Sequence, residues 1–195
     1  MKITSLIPPF LGGPNWIERS SPLQFGCTGC AKCCKMDGDV WLAPEEINRV
    51  AFSLDLPIEQ LKAERGRSFA GPTDSQWMSL KRGDDEDSPS CTFLDESGQC
   101  SIYDVRPVQC RTYPFWPSLL EKKRNWLSEA TLPDEVPLRR KKDRHWSIEK
   151  GGCEGINHVE AIPIPNHEVK IKTEIALSHW ERFPDEEIKQ TTWYL

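Results

Sequence analysis

Apolar residues fall into helical or alternating order only in short stretches of this chain, and the reaches between them carry no period. Ile47, Val50, Ala51 and Leu54 follow the i, i+3, i+4, i+7 spacing, which predicts an amphipathic helix over 44–54. Pro44 suits its first turn, and Glu45 and Glu46 suit the positive end of its dipole. A second short helix is expected from Pro57, carrying Ile58 and Leu61 inward. Another, at 106–111, opens with Pro107 and stops before Pro114, and a longer one over 167–182 is capped by Asn166 and ended by Pro184. Val40-Trp41-Leu42 and the weakly alternating Gln76–Lys81 read as strands. Cys91-Thr92-Phe93-Leu94 and Gln99-Cys100-Ser101-Ile102-Tyr103 flank Asp95-Glu96-Ser97-Gly98, the pattern of a β-hairpin with glycine at the turn.

The remaining segments read as loop. Residues 1–22 hold Pro8, Pro9, Pro14 and Pro22 and are expected to form an extended arm. Residues 66–75 are rich in turn formers, Gly83–Ser90 is an acidic loop, and 115–150 is irregular, with the basic run Arg139-Arg140-Lys141-Lys142 read as a solvated loop. The expected organisation is an extended N-terminal arm at 1–22, one domain at 23–158, and a C-terminal helix and tail at 159–195 packed on that domain.

Composition sharpens this picture. Hydrophobic residues are 37% and charged residues 28% of 195, and Gly 12 with Pro 16 leave much of the chain to loops. Such a core is sparse and needs further ties. A net charge of −5 disfavours general binding to nucleic acid or to anionic membranes, and no apolar run is long enough to span a bilayer. Pro8, Pro9, Gly12, Gly13 and Pro14 interrupt any helical export signal, so a reducing compartment is expected, where disulfides are disfavoured.

Eight cysteines therefore become the dominant chemical feature. Cys27, Cys30, Cys33 and Cys34 form a C-x-x-C-x-x-C-C run, and Cys91, Cys100, Cys110 and Cys153 are dispersed at predicted bends. Two intervening residues let both thiolates of a C-x-x-C turn face one ion. Three cysteines at this interval are also a common way to hold an iron–sulfur cluster. Neighbouring side chains point apart, so Cys33 and Cys34 are expected to serve different sites if two exist. All eight are candidate metal ligands that tie residues 27–34 to 91–110 and to 153. The fold class expected is α+β: a small, irregular, metal-stapled single domain with short helices, a β-hairpin and a C-terminal helix. An iron–sulfur cluster is favoured slightly over zinc. Lys32, Lys35, Arg106 and Arg111 lie beside these cysteines and could offset thiolate charge, the alternative being ordinary surface charge. Trp116, after Tyr113-Pro114-Phe115, could shield the site from solvent. No histidine pair has ligand spacing; His158 reads as a loop histidine, and His167 and His179 as surface residues of the C-terminal helix.

The combination of Phe25-x-Cys27-x-x-Cys30-x-x-Cys33-Cys34, Cys91-x-Phe93-Leu94, Gly98-x-Cys100-x-Ile102-Tyr103, Arg106-Pro107-x-x-Cys110-Arg111-x-Tyr113-Pro114 and Cys153-x-Gly155-Ile156 resembles the zinc- or iron-chelating CxxCxxCC domain family, also called the YkgJ-like cysteine-cluster family. The resemblance covers residues 25 to about 156 and implies that Arg106 and Arg111 support the metal site. One branch of that family is similar to the flagellin lysine N-methylases, which implies metal-dependent group transfer as an alternative function. Phosphate-binding glycine loops, nucleophile elbows and H-E-x-x-H are absent, which places a metal-holding or assembly module with a protein partner ahead of an enzyme. The expected compartment is the cytoplasm, or the plastid if the similarity of Gly38-x-Val40-Trp41 to members in photosynthetic eukaryotes extends to a removed targeting segment.

Overall fold

Elements this short cannot bury one continuous face, and the chain folds instead as small clusters joined by loops. A computed structural model of the chain describes residues 16–19, 22–35, 38–67, 76–83, 90–130 and 152–184. The basic run at 139–142, the acidic stretch 84–89 and most of the N-terminal arm lie outside the described residues. The architecture is mixed α+β.

One cluster is built on helix α2 (Pro44–Ser53), which buries Ile47, Val50 and Ala51 as their spacing predicts. Helix α3 (Ile58–Arg65) adds the fully buried Leu61. Ile58 stays exposed, contrary to expectation: helical side chains lean toward the N-terminus, so a residue at the first position overhangs the open end. Strands β2 (Trp41–Leu42), β3 (Gly66–Arg67) and β4 (Met78–Leu80) form an antiparallel sheet in the order β2-β4-β3, with Trp41 opposite Ser79 and Gly66 opposite Leu80. Leu42, Met78, Leu80, Phe93 and Ile102 complete this core.

A second core lies under a two-stranded antiparallel sheet of β1 (Leu23–Phe25) and β5 (Ile162–Ile164), in which Leu23 pairs with Ile164. It contains Ile17, Phe115, Leu120, Trp126, Ile156 and Val169. The arm expected at 1–22 is thus not wholly extended. Residues Trp16–Arg19 form helix α1, Ile17 is buried, and the Trp16 indole donates to the Leu120 carbonyl at 2.8 Å. Nor is 115–130 irregular: it holds helices α5 (Pro117–Leu120) and α6 (Lys123–Glu129), after α4 (Val108–Thr112). Each is too short for a helical period to register in sequence, and tertiary burial of Leu120 and Trp126 stabilises them.

The last helix, α7 (Asn166–Glu181), packs on α4 and α5. Pro165 rather than Asn166 occupies its cap position. Val169 joins the second core, while Trp180 and Phe183 close on Trp41, with the Trp41 and Phe183 ring centroids 4.9 Å apart. The segment after 158 is therefore built into the fold through both β5 and α7. His179, expected on the surface, is only 5% exposed. It lies beside Trp77, with its Nδ1 3.7 Å from a Glu46 carboxylate oxygen, and burial lowers its pKa. Among the described residues no helix is long and apolar enough to cross a membrane.

Glu46 organises the junction between these parts. Its buried carboxylate accepts the Ala43 N–H at 2.8 Å and the Val108 N–H at 2.6 Å, which joins the starts of α2 and α4. Gln109 adds a second clamp, accepting the Trp41 N–H at 3.0 Å and donating to the Asp39 carbonyl at 2.8 Å. Removing Glu46 leaves buried donors unsatisfied. Glu46→Ala is therefore expected to lower stability by about 2–4 kcal/mol in denaturant titration, with Glu46→Gln losing less.

Candidate metal centre

The loop after β1 turns at Gly29 (φ 70°) and Ala31 (φ 59°), then tightens into a 3₁₀ turn at Lys32–Cys34. That path presents four cysteines from one short segment. Two other parts of the chain meet it. The Gly26 N–H donates to the Gly155 carbonyl at 3.1 Å, and Phe25 bridges Ile156, which brings Cys153 beside the loop. Gly155 is needed for this approach, because a side chain there would collide with the Gly26 carbonyl. Across the top, Lys32 pairs with Glu154 at 2.7 Å, and Lys32 holds the Glu154 carboxylate below its usual range. On the opposite side the Cys91 N–H donates to the Cys34 carbonyl at 2.8 Å.

The hairpin expected at 91–103 is present in short form: Leu94 bridges Cys100, and the Asp95 and Ser101 N–H groups donate to the Gln99 and Phe93 carbonyls, both at 2.9 Å. The Asp95 carboxylate also collects the Ser97 N–H and hydroxyl and the Gln99 N–H, which fixes the turn. Cys91 faces Arg82 in an isolated bridge, not Cys100. Cys110 comes from α4, which Glu46 and Gln109 hold in place.

All eight cysteines line one cavity of about 610 Å³. Phe25, Phe93, Tyr113 and Trp116 form part of its wall, in keeping with the shielding expected of Trp116, whose indole donates to the Gln109 carbonyl at 3.0 Å. Tyr113 donates its hydroxyl to Glu129, and burial raises the pKa of both groups. All eight thiols are free, and among the described residues no three His, Cys, Asp or Glu side chains are already drawn close enough to hold one ion. The thiols share a space rather than a point.

Their electrostatics divide them. Burial raises the pKa of Cys91, Cys100 and Cys110, and the neighbouring thiolates, Cys34 among them in each case, raise it further. Cys34 is raised first by its hydrogen bond with the adjacent Cys33 and then by burial, while Arg106 and Arg82 act against both. Cys153 is pushed up to about 12 by burial, with Cys30 and Glu129 adding to it. A cavity whose anions repel one another in low dielectric is one that a cation would relieve.

Of the cations expected to support the site, Arg106 lines the cavity and stacks 3.6 Å over the Tyr103 ring. Arg111 does not; it is exposed, and its backbone N–H donates to the Pro107 carbonyl. Lys35 is exposed, and Lys32 is committed to Glu154. Sequence reasoning missed Arg82, which donates to the Gly38 carbonyl through two nitrogens, at 3.0 and 2.8 Å, and to the Cys34 carbonyl at 3.2 Å. Its only sequence signal was a basic residue ahead of the acidic loop. His158 does not line the cavity; its Nδ1 accepts the Glu160 N–H. Asp39 does, yet its carboxylate is occupied by Arg67 and Ser79.

The donors available are therefore sulfur, which suits zinc or iron–sulfur chemistry and not the oxygen-seeking magnesium or calcium. A thiol-walled, aromatic-shielded cavity of this kind defines a cysteine-based metal-binding domain. Residues 26–154, about two thirds of the chain, match the CxxCxxCC family, described as a "putative zinc- or iron-chelating domain", and the chain belongs to that family. No solved structure matches it.

Arg82→Ala is expected to weaken metal binding about 10–100-fold in competition with a chelator of known affinity, because it frees the Cys34 loop. Arg111→Ala serves as the control and should leave affinity unchanged.

Proposed function

We propose that the protein is a metal-holding module in which cysteine thiolates bind an iron–sulfur cluster or zinc and so fix the surface it offers to a protein partner. The convergence of eight cysteines from distant segments on one cavity carries this reading. The Cys27–Cys30–Cys33 spacing favours iron–sulfur, and a closed thiolate set favours holding over catalysis. Arg82 and Arg106 would offset the negative charge that four thiolates leave on a divalent ion or an oxidised cluster. Metal binding of this type is coupled to folding, because the ligand set does not exist in the unfolded chain.

Anaerobic purification followed by elemental analysis and a visible spectrum tests the metal. Brown protein with iron and sulfide supports the first choice, and colourless protein with stoichiometric zinc replaces it. Removal of the metal is expected to collapse the near-ultraviolet circular dichroism and lower thermal stability; full stability without metal contradicts the module reading.

One observation favours a second reading, that of a group-transfer enzyme resembling the flagellin lysine N-methylases. The cavity, at about 610 Å³, falls within the roughly 300–1,000 Å³ of small-molecule sites. Calorimetric titration of the metal-loaded protein with S-adenosylmethionine separates the two: no saturable binding is expected, and tight binding would favour the enzyme.

A further inference from the structure

We infer that the eight thiols form two centres of unequal exchange, with the boundary between Cys33 and Cys34. Cys34, Cys91, Cys100 and Cys110 make an enclosed centre that holds the fold. Cys27, Cys30, Cys33 and Cys153 make an open centre whose metal exchanges with solution. This rests on the metal-holding reading above and adds which cysteines act together and what each set is for.

Three independent features carry the division. The first is packing. Cys91 and Cys100 pack against the core of α2, α3 and β4, whereas Cys153 is buried in the other core, under β1 and β5. The sulfurs on the two sides of the cavity thus belong to separate apolar bodies. The second is backbone connection. Cys34 is joined to Cys91 by a 2.8 Å hydrogen bond, and Arg82, bridged to Cys91, also holds the Cys34 carbonyl. The loop of Cys27 and Cys30 is joined instead to 153–155, through Gly26 and Gly155 and through Lys32 and Glu154. Cys33 and Cys34 touch, but their other neighbours diverge: Cys33 and Cys153 both act on Tyr113, and Cys34 acts on Cys91, Cys100 and Cys110.

The third is access. Cys27 and Cys33 are exposed, Cys30 is half-buried like Cys34, Cys91, Cys100 and Cys110, and Cys153 is buried, so the open centre is reached through Cys27 and Cys33. The strap over the open set joins Glu154 to Lys32 and to the Thr28 hydroxyl through partly solvated side chains, and such exposed pairs hold weakly. Arg82 and Arg106 face the enclosed set. A chelator or an acceptor thiol meets the open centre at the exposed Cys27 and Cys33, whereas the enclosed centre offers it no exposed sulfur.

The test uses the full chain saturated with zinc(II). Brief exposure to a chelator together with a thiol-alkylating reagent, followed by peptide mass spectrometry, reads each cysteine separately. Two zinc equivalents are expected, with the exposed Cys27 and Cys33 alkylated at least about tenfold faster than Cys34, Cys91, Cys100 and Cys110. Cys27→Ser should lose one equivalent and keep its circular dichroism. All eight cysteines labelled in one phase, or Cys33 and Cys34 labelled in the same phase, overturns the division while leaving metal binding intact. Failure to bind any zinc, with no iron in the protein as isolated, overturns the metal-holding reading and this inference with it.

Discussion

Burial of thiols beside one another in a half-dry cavity is the constraint on which the rest of the structure turns. Burial first, and then the company of other sulfurs, disfavours the ionised forms, as the raised pKa values of Cys91, Cys100, Cys110 and Cys153 express; for Cys34 the hydrogen bond with Cys33 leads and burial follows. Without a counter-charge these groups stay protonated and contribute little beyond modest packing. With one, the same crowding becomes a set of charge-assisted ligands, and the cost of gathering the segments is met by metal–sulfur bonds.

That constraint explains an architecture that otherwise looks undersized. The sheets have two and three strands, and the apolar residues divide into separate clusters. Helix α7 contributes Val169 to one cluster and Trp180 to another, and Glu46 joins α2 to α4. These are few ties for cores that face each other across a cavity. A centre spanning residues 27–34, 91–110 and 153 would close loops of the length that cross-links stabilise most in the chain-entropy picture.

Sequence and structure agree where a signal is local and diverge where it is not. The stripe of Ile47, Val50 and Ala51 specifies α2 to within a residue or two, and Pro107 marks the start of α4. The eight cysteines were legible as one convergent set because spacing within 27–34 and turn residues around the others are read along the chain. What escaped depends on partners far apart in sequence. Glu46 looks like a dipole residue until Val108 is found beside it, 62 positions away, and His179 looks solvated until Trp77 and Glu46 cover it. Arg82 and Arg111 make the same point in opposite directions: one carries no motif yet grips the Cys34 loop, and the other sits inside a motif yet faces outward.

The placement of Arg82 and Arg106 also bears on how the two sides of the cavity differ. Both guanidiniums act on Cys34; Arg82 also binds the carbonyls of Gly38 and Cys34, and Arg106 the Tyr103 ring and carbonyl. On the other side Lys32 is paired with Glu154. The half of the cavity bounded by Cys34, Cys91, Cys100 and Cys110 is therefore compensated for a net anionic centre even where water is scarce. The half around Cys27 and Cys33 is open to solvent, which screens charge there, because both sulfurs are exposed. Fixed cations favour a centre that stays put, and solvent compensation suits one that can gain and lose its ion without leaving buried charge behind.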